Sequence, residues 1–319
     1  MMLRTQTDCG NVAIRPRQSK GVTLIELLVG MSIGMVLVLG SVTLYARSRA
    51  TYQTAETLAG MQETLQFALD TLERDIRMAG FWGQHSNGAV ITVTGNVAVR
   101  CDGDDVTAWA LDLSNPIAGG DGRYDIPCAV FAAAQPGTDT LTVRRASSRP
   151  VTPRSGTIQL HSGRAIGQVF NDGSVPPGFS GNPSTHAIRV HAYYVDRRSS
   201  LGDVPSLRRQ TLTHGGIIQN QEIIPGVEAF QVRIGVDSDA DGFIDSYVDP
   251  DDPALLDDAK IRSVRIWLLV RAGQLELGYR NTSAYAPAGQ SLPFVPGDAF
   301  RRVAVSRTVL IRNAVRWLP

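Results

Sequence analysis

The chain begins with one long apolar run followed by a long amphipathic one. Val22 to Ala46 contains a single charged residue, Glu26. As a helix this run is about 37 Å long at about 1.5 Å per residue, enough to cross a hydrocarbon core of about 30 Å. Beyond it, Leu58, Met61, Leu65, Leu69, Leu72 and Ile76 recur at spacings of three and four and make one apolar stripe. Gln62, Glu63, Gln66, Asp70, Glu73 and Arg77 fill the other faces. A stripe of this kind is a core-packing face. Gly80 is placed to cap the helix C-terminus. The pattern predicts one helix from about Val22 to Ala79, roughly 87 Å long. Its first half is apolar all round and its second half packs against a globular domain.

After the helix the period changes from about four to two. Short alternating runs recur at Thr140–Arg144, Ile188–Tyr193, Phe230–Ile234, Val264–Val270 and Val303–Ile311. They read as strands divided by turn signals such as Asn171-Asp172-Gly173 and Pro176-Pro177-Gly178. No second helix-length periodicity separates them, so an antiparallel sheet is predicted. The sheet is expected to bury one face on the apolar stripe. Long loops are expected between Phe81 and Asp139 and between Arg149 and Thr185. The fold class is α+β, and no internal repeat is present.

Charge on the flanks orients the apolar run. Arg4, Arg15, Arg17 and Lys20 precede it and only Asp8 opposes them, which keeps the leader on the cytoplasmic side. A secretory signal peptide would have a shorter apolar core and a small-residue cleavage site. Leu44-Tyr45-Ala46-Arg47 is a poor site of that kind. Glu26 needs a reason to be there, because a carboxylate at a bilayer centre costs roughly 2.5–3.5 kcal/mol by insertion scales. Gly30 and Gly34 form a small-xxx-small pair, a weak signal for close helix approach.

Lys20-Gly21-Val22-Thr23-Leu24-Ile25-Glu26-Leu27-Leu28-Val29 resembles the type IV prepilin signature. The resemblance implies cleavage between Gly21 and Val22 and N-methylation of Val22 by a prepilin peptidase/N-methyltransferase. Val22 stands where Phe is commonest. Glu26 becomes the fifth residue of the mature chain, whose family role is to attract the N-terminus of a neighbouring subunit during assembly. Three later stretches are similar to PilW-type minor pilins: Arg74-Asp75-Ile76-Arg77-Met78-Ala79-Gly80-Phe81, Gly226-Val227-Glu228-Ala229-Phe230-Gln231-Val232-Arg233, and Arg307-Thr308-Val309-Leu310-Ile311-Arg312-Asn313. Residues 87–181 carry no such motif beyond two cysteines.

The resemblance implies a pilin-like layout. Residues 1–21 are the leader, 22–46 the membrane or filament-core part of the helix, 47–80 its amphipathic part, and 81–319 a β-rich periplasmic domain. It further implies an inner-membrane protein that enters the pilus. The expected partners are other minor pilins, the major pilin and a tip adhesin, in a priming complex that supports twitching motility and adhesion. A minor pseudopilin of a type II secretion system shares the same leader and Glu26. A membrane-anchored calcium-dependent adhesin is a third reading, of a different class.

Thirty-one Lys and Arg face thirty Asp and Glu, a formal net charge of +1. That balance gives no nucleic-acid signal, and the scattered arginines read as solvated strand faces. Cys9 lies in the leader. Cys101 and Cys128 remain as an even pair in a domain predicted to face an oxidising compartment, so a disulfide is expected. Cys-x2-Cys spacing and histidine pairs, the usual zinc signals, are absent.

Asp237-Ser238-Asp239-Ala240-Asp241-Gly242-Phe243-Ile244-Asp245 is the strongest chemical motif. Calcium wants six to eight oxygens, and carboxylates at alternate positions converge if the chain coils around the ion. Asp237, Asp239, Asp241 and Asp245 occupy positions 1, 3, 5 and 9 of an EF-hand loop, and Gly242 position 6. The Phe243 carbonyl would be the backbone ligand at position 7. Position 12 is Val248, with Asp249 one place later as a substitute closer. The flanking strand pattern resembles calcium loops of extracellular β domains, for which affinity is on the order of 10⁻⁴–10⁻³ M. Calcium is therefore expected as a structural cofactor. His85, His161, His186, His191 and His214 are scattered and read as surface or sheet residues. No nucleophile elbow, phosphate loop or dinucleotide fingerprint occurs, so neither an enzyme nor a small-molecule substrate is expected.

Overall fold

A computed structural model describes residues 21–85, 87–255, 260–287 and 293–313. Most of the expected leader, including Cys9 and Lys20, lies outside these. The chain divides into two compact units, Met1–Ala55 and Glu56–Pro319. A single helix, α1, spans Leu24–Arg77 and contributes to both.

In the first unit the apolar side chains of α1 from Leu24 to Leu44 are exposed. This stretch is long and apolar enough to cross a membrane. Its polar groups are satisfied within the helix. The hydroxyls of Ser32, Ser41 and Thr43 donate to the carbonyls of Leu28, Leu37 and Gly40. An apolar environment would make an unpaired hydroxyl costly. No atom lies within 4 Å of where a side chain at Gly30 or Gly34 would begin.

In the second unit the amphipathic part of α1 buries Met61, Leu65, Ala68, Leu69, Leu72 and Ile76, which is the predicted stripe with Ala68 added and Leu58 only half-buried at its edge. Gly80 follows at φ +68, a conformation glycine adopts without Cβ strain, and turns the chain off the helix. The strands after it are β1 (Ile91–Val93), β2 (Arg100–Cys101), β3 (Asp104–Asp105), β4 (Ile117–Ala118), β5 (Leu141–Ala146), β6 (Gln159–Ser162) and β7 (Gly167–Phe170). They continue with β8 (Ser184–Asp196), β9 (Ser206–Leu212), β10 (Ile218–Pro225), β11 (Val227–Asp237), β12 (Ser246–Val248), β13 (Lys260–Arg271) and β14 (Arg302–Leu310). A one-turn helix, α2, occupies Thr107–Ala110.

The strands form two main sheets where the sequence predicts one. The larger runs β1-β7-β6-β8-β5-β4, with β9 joining β8 and β10 joining β9. The smaller runs β12-β11-β13-β14 and is antiparallel throughout. Strands β1 and β7 pair in parallel, and an isolated parallel bridge joins Arg100 to Ile217. The expected long loop at 149–185 contains the β6–β7 hairpin. That hairpin escapes a period-two reading because every residue of β6 is buried. The same holds for β9, whose polar sequence Ser-Leu-Arg-Arg-Gln-Thr-Leu is buried at six of seven positions.

Two cores result. One joins the α1 stripe to Val227, Phe230, Val232, Ile266 and Leu268 of the small sheet and to Leu141, Val143, Tyr193 and Val195 of the large one. The other packs Val190, Ala192 and Tyr194 against Trp82, Val99, Leu111 and Leu113. Strand β8 thus presents alternate residues to different cores, which is why it reads as nearly continuous apolar sequence. The disulfide expected from sequence closes Cys101 to Cys128 with Cα atoms 5.6 Å apart. It pins the β2–β3 hairpin, whose Asp102-Gly103 turn has positive φ at both residues.

Candidate functional site: the ends of the helix and the aspartate loop

Gly21 and Val22 precede α1 as exposed chain without regular structure. Thr23 and Glu26 then form a reciprocal cap. The Thr23 amide and hydroxyl both donate to Glu26 Oε2 at 2.9 Å, and the Glu26 amide donates to Thr23 Oγ1 at 3.3 Å. This is the capping box, Thr-x-x-Glu, which satisfies amides that a helix start leaves unpaired. The signal stands in the sequence but is hidden inside the apolar run. Glu26 therefore lies at the very start of the helix, four residues after Val22, with its carboxylate held at the positive end of the helix dipole.

The other end of α1 is locked by groups that sequence reading missed. Asp75 is buried in the last turn. It accepts from Arg145 Nη2 at 2.7 Å and Nε at 3.1 Å, and from His191 Nδ1 and the Tyr193 hydroxyl. Burial alone would raise the Asp75 carboxyl, but the His191 hydrogen bond and the Arg145 charge outweigh it and hold the group well below the usual carboxylate range. Burial pushes His191 below its ordinary value. A neutral imidazole donating Nδ1–H and a charged Arg145 then leave Asp75 ionised. His191 is thus a structural histidine on a sheet.

Two of the three segments resembling PilW-type proteins, 74–81 and 307–313, meet at this helix end. Arg307 Nη1 donates to Glu73 at 2.8 Å. The Arg312 amide and the Asn313 side chain donate to the carbonyls of Arg77 and Ala79, both at 3.1 Å. Carbonyls that a helix C-terminus leaves unpaired are thereby satisfied by the C-terminal segment.

Many arginines depart from the expected solvated faces. Arg144, Arg208, Arg262 and Arg302 are buried. Arg144 donates to the carbonyls of Trp109 and Asn115, and Arg302 pairs with Glu228 and Asp298. Burial of a guanidinium requires such partners.

In the aspartate loop, Asp237, Asp239 and Asp245 bring carboxylate oxygens within 4.8 Å of one another. Asp237 is buried and Asp239 and Asp245 are exposed. Asp237 Oδ2 also takes Arg262 Nε at 2.8 Å and the Gly242 amide at 3.1 Å, while its Oδ1 is buried without a hydrogen-bond partner. An orphaned carboxylate oxygen beside two other carboxylates fits a hard cation, although Arg262 already offsets one negative charge. Asp241 and Asp249 lie outside this group. Asp241 caps the Phe243 amide at 2.8 Å, and Asp249 pairs with Arg233 at 2.6 Å. The β12 ladder carries Asp249 away toward Arg233, so it does not close the loop as expected.

Residues 192–313 match the family described as type IV pilus-assembly protein W. Residues 16–42 match the prokaryotic N-terminal methylation motif. No curated protein matches the chain by sequence. Among solved structures, a type IV-like pilin from Thermus thermophilus is similar at 12% identity and a TM-score of 0.37, over 80% of this chain and 98% of that one.

Proposed function

We propose that this chain, a type IV pilin-like protein with a PilW domain, is a minor pilin that acts in pilus assembly by joining a priming complex at the pilus tip. The observation that carries the reading is the joint match of a methylation motif over residues 16–42 and a PilW domain over 192–313. Both matched families are structural, and no catalytic role is assigned. Cleavage after Gly21 frees the amine of Val22 for methylation. The apolar part of α1 sits in the inner membrane with the β-rich domain in the periplasm, then is extracted into the filament. Glu26 docks to the Val22 amine of a neighbouring subunit, and its cap with Thr23 supports this role by fixing the carboxylate at the helix start. Other minor pilins, the major pilin and a tip adhesin are the partners, and twitching and adhesion are the outcome.

Deletion of the gene followed by electron microscopy tests this. Pili should disappear while enzyme secretion stays normal, and wild type but not Gly21→Ala should restore them. Mass spectrometry should find N-methylated Val22. Normal pili with trapped exoproteins would move the protein to a secretion system.

We propose also that the aspartate loop takes calcium as a structural ion. Asp237, Asp239 and Asp245 would hold it, and it would supply positive charge that lets the three carboxylates stay together. Calorimetry should show calcium heat for wild type and none for Asp239→Ala. Equal traces for the two proteins would remove the ion from the account.

A further inference from the structure

A recess lies on the large sheet of the second unit. It is a cavity of about 600 Å³ whose lining includes Arg145, Arg189, Arg209, Thr211, His214 and Gln221. Strand register explains how they meet. Arg145 of β5 stands directly opposite Arg189 of β8, and Arg209 of β9 stands opposite Gln221 of β10. Thr211 faces His191 across the β8–β9 ladder. These residues continue the sheet face that, at Val143, Tyr193 and Val195, packs on α1.

The charge balance of this recess is one-sided. No Asp or Glu lines it among the described residues. Asp75 reaches it only through Arg145 and His191 and already balances Arg145. Neither Arg189 nor Arg209 pairs with a carboxylate among the described residues. Arg209 Nη2 donates to Gln221 at 3.0 Å, but its Nε is buried with no hydrogen-bond partner. An unpaired buried donor costs free energy, and Arg189 adds a guanidinium with no carboxylate to balance it. A protein that keeps both features in one recess holds donors ready for an absent acceptor.

We infer that this recess binds an oxyanion, a phosphate or carboxylate group carried on a small hydroxylated ligand such as an acidic sugar. Guanidinium forks match carboxylate and phosphate geometry, which an ammonium or a neutral ligand would not exploit. The volume lies within the ordinary range for small-ligand pockets and exceeds the need of a lone phosphate. Ser148 and Thr211 at the lining offer hydroxyls to a polyol, whereas the Ser147 and Thr213 hydroxyls already donate to the carbonyls of Arg149 and Ile217. The inference stands apart from the assembly role and survives its failure.

Titration calorimetry of the full chain in a neutral detergent tests it. The probes are glucose 6-phosphate, glucuronate, inorganic phosphate and glucose. Both acidic sugars should bind, inorganic phosphate more weakly, and glucose not at all. Arg189→Gln, at an exposed position, should weaken binding of the acidic sugars at least tenfold with an unchanged melting temperature. Arg209→Gln should do the same, and an exposed control, Arg197→Gln, should bind as wild type. Absence of binding for every oxyanion overturns the inference. So does equal binding by Arg189→Gln, or an equal loss in Arg197→Gln, which would reduce the effect to diffuse charge.

Discussion

Replacing Asp75 by Asn should cost this protein a large part of its stability. The carboxylate is one acceptor serving three donors, from Arg145, His191 and Tyr193. Its side chain is 6% exposed, so water cannot substitute. Asparagine keeps one acceptor oxygen and points an amide at groups that are themselves donors. Two buried donors left unpaired cost about 1–3 kcal/mol each. Breaking a buried ion pair from one side typically costs about 3–5 kcal/mol in total, and these two figures describe overlapping losses. We therefore expect a loss of about 3–5 kcal/mol, against a whole-domain stability of about 5–15 kcal/mol. Urea unfolding followed by the fluorescence of buried Trp82 measures it. Asp70→Asn, an exposed carboxylate of the same helix, is the control and should change stability by less than about 0.5 kcal/mol. The wild type should also lose stability as acidity rises below about pH 4, because a carboxyl depressed in the folded state stabilises above its unfolded value and ceases to as it protonates. Asp75→Asn should lack that part of the acid dependence. A cost under about 1 kcal/mol for Asp75→Asn would refute the anchoring argument.

Other consequences are accessible to similar measurements. Reducing the disulfide, or making Cys128→Ser, should remove about 3–4 kcal/mol for a bridge spanning 27 residues, checked by thermal unfolding with and without reductant. Thr23→Ala should fray the first turn of α1 by about 1 kcal/mol, seen as faster amide exchange at Glu26; unchanged exchange would remove the cap. Burial, with the nearby charges of Asp121 and Asp249, pushes the Asp139 carboxyl up to about 7, against the pull of the Gly122 and Val232 amides. A raised carboxyl stabilises below its unfolded value and loses that contribution as pH rises through the folded one. Stability should therefore decline between about pH 4 and pH 7 on this group's account, and a carboxyl resonance of Asp139 titrating below pH 5 would contradict it.

The elements that sequence reading located are those with a strong local period. The stripe from Met61 to Ile76 appears in the structure as the buried face of α1, with Leu58 half-buried beside it. Runs such as Val264–Val270 and Val303–Ile311 lie within long strands. Strands β6 and β9 were not legible, because residues buried on both faces show no alternation and their polar groups are satisfied by distant partners. Arg208, for example, looks like a surface residue in sequence, yet it is buried against Asn220 and Glu222.

Sequence by itself determined the apolar helix with Glu26 near its start, the pair of cysteines and the aspartate loop, since each is a local pattern whose chemistry depends on spacing along the chain. Tertiary structure alone decided that Asp75 meets Arg145, His191 and Tyr193, that Asp249 leaves the loop for Arg233, and that Arg145, Arg189 and Arg209 share one recess. Those pairings join residues from separate strands, and strand register, set by how the two cores pack, brings them together.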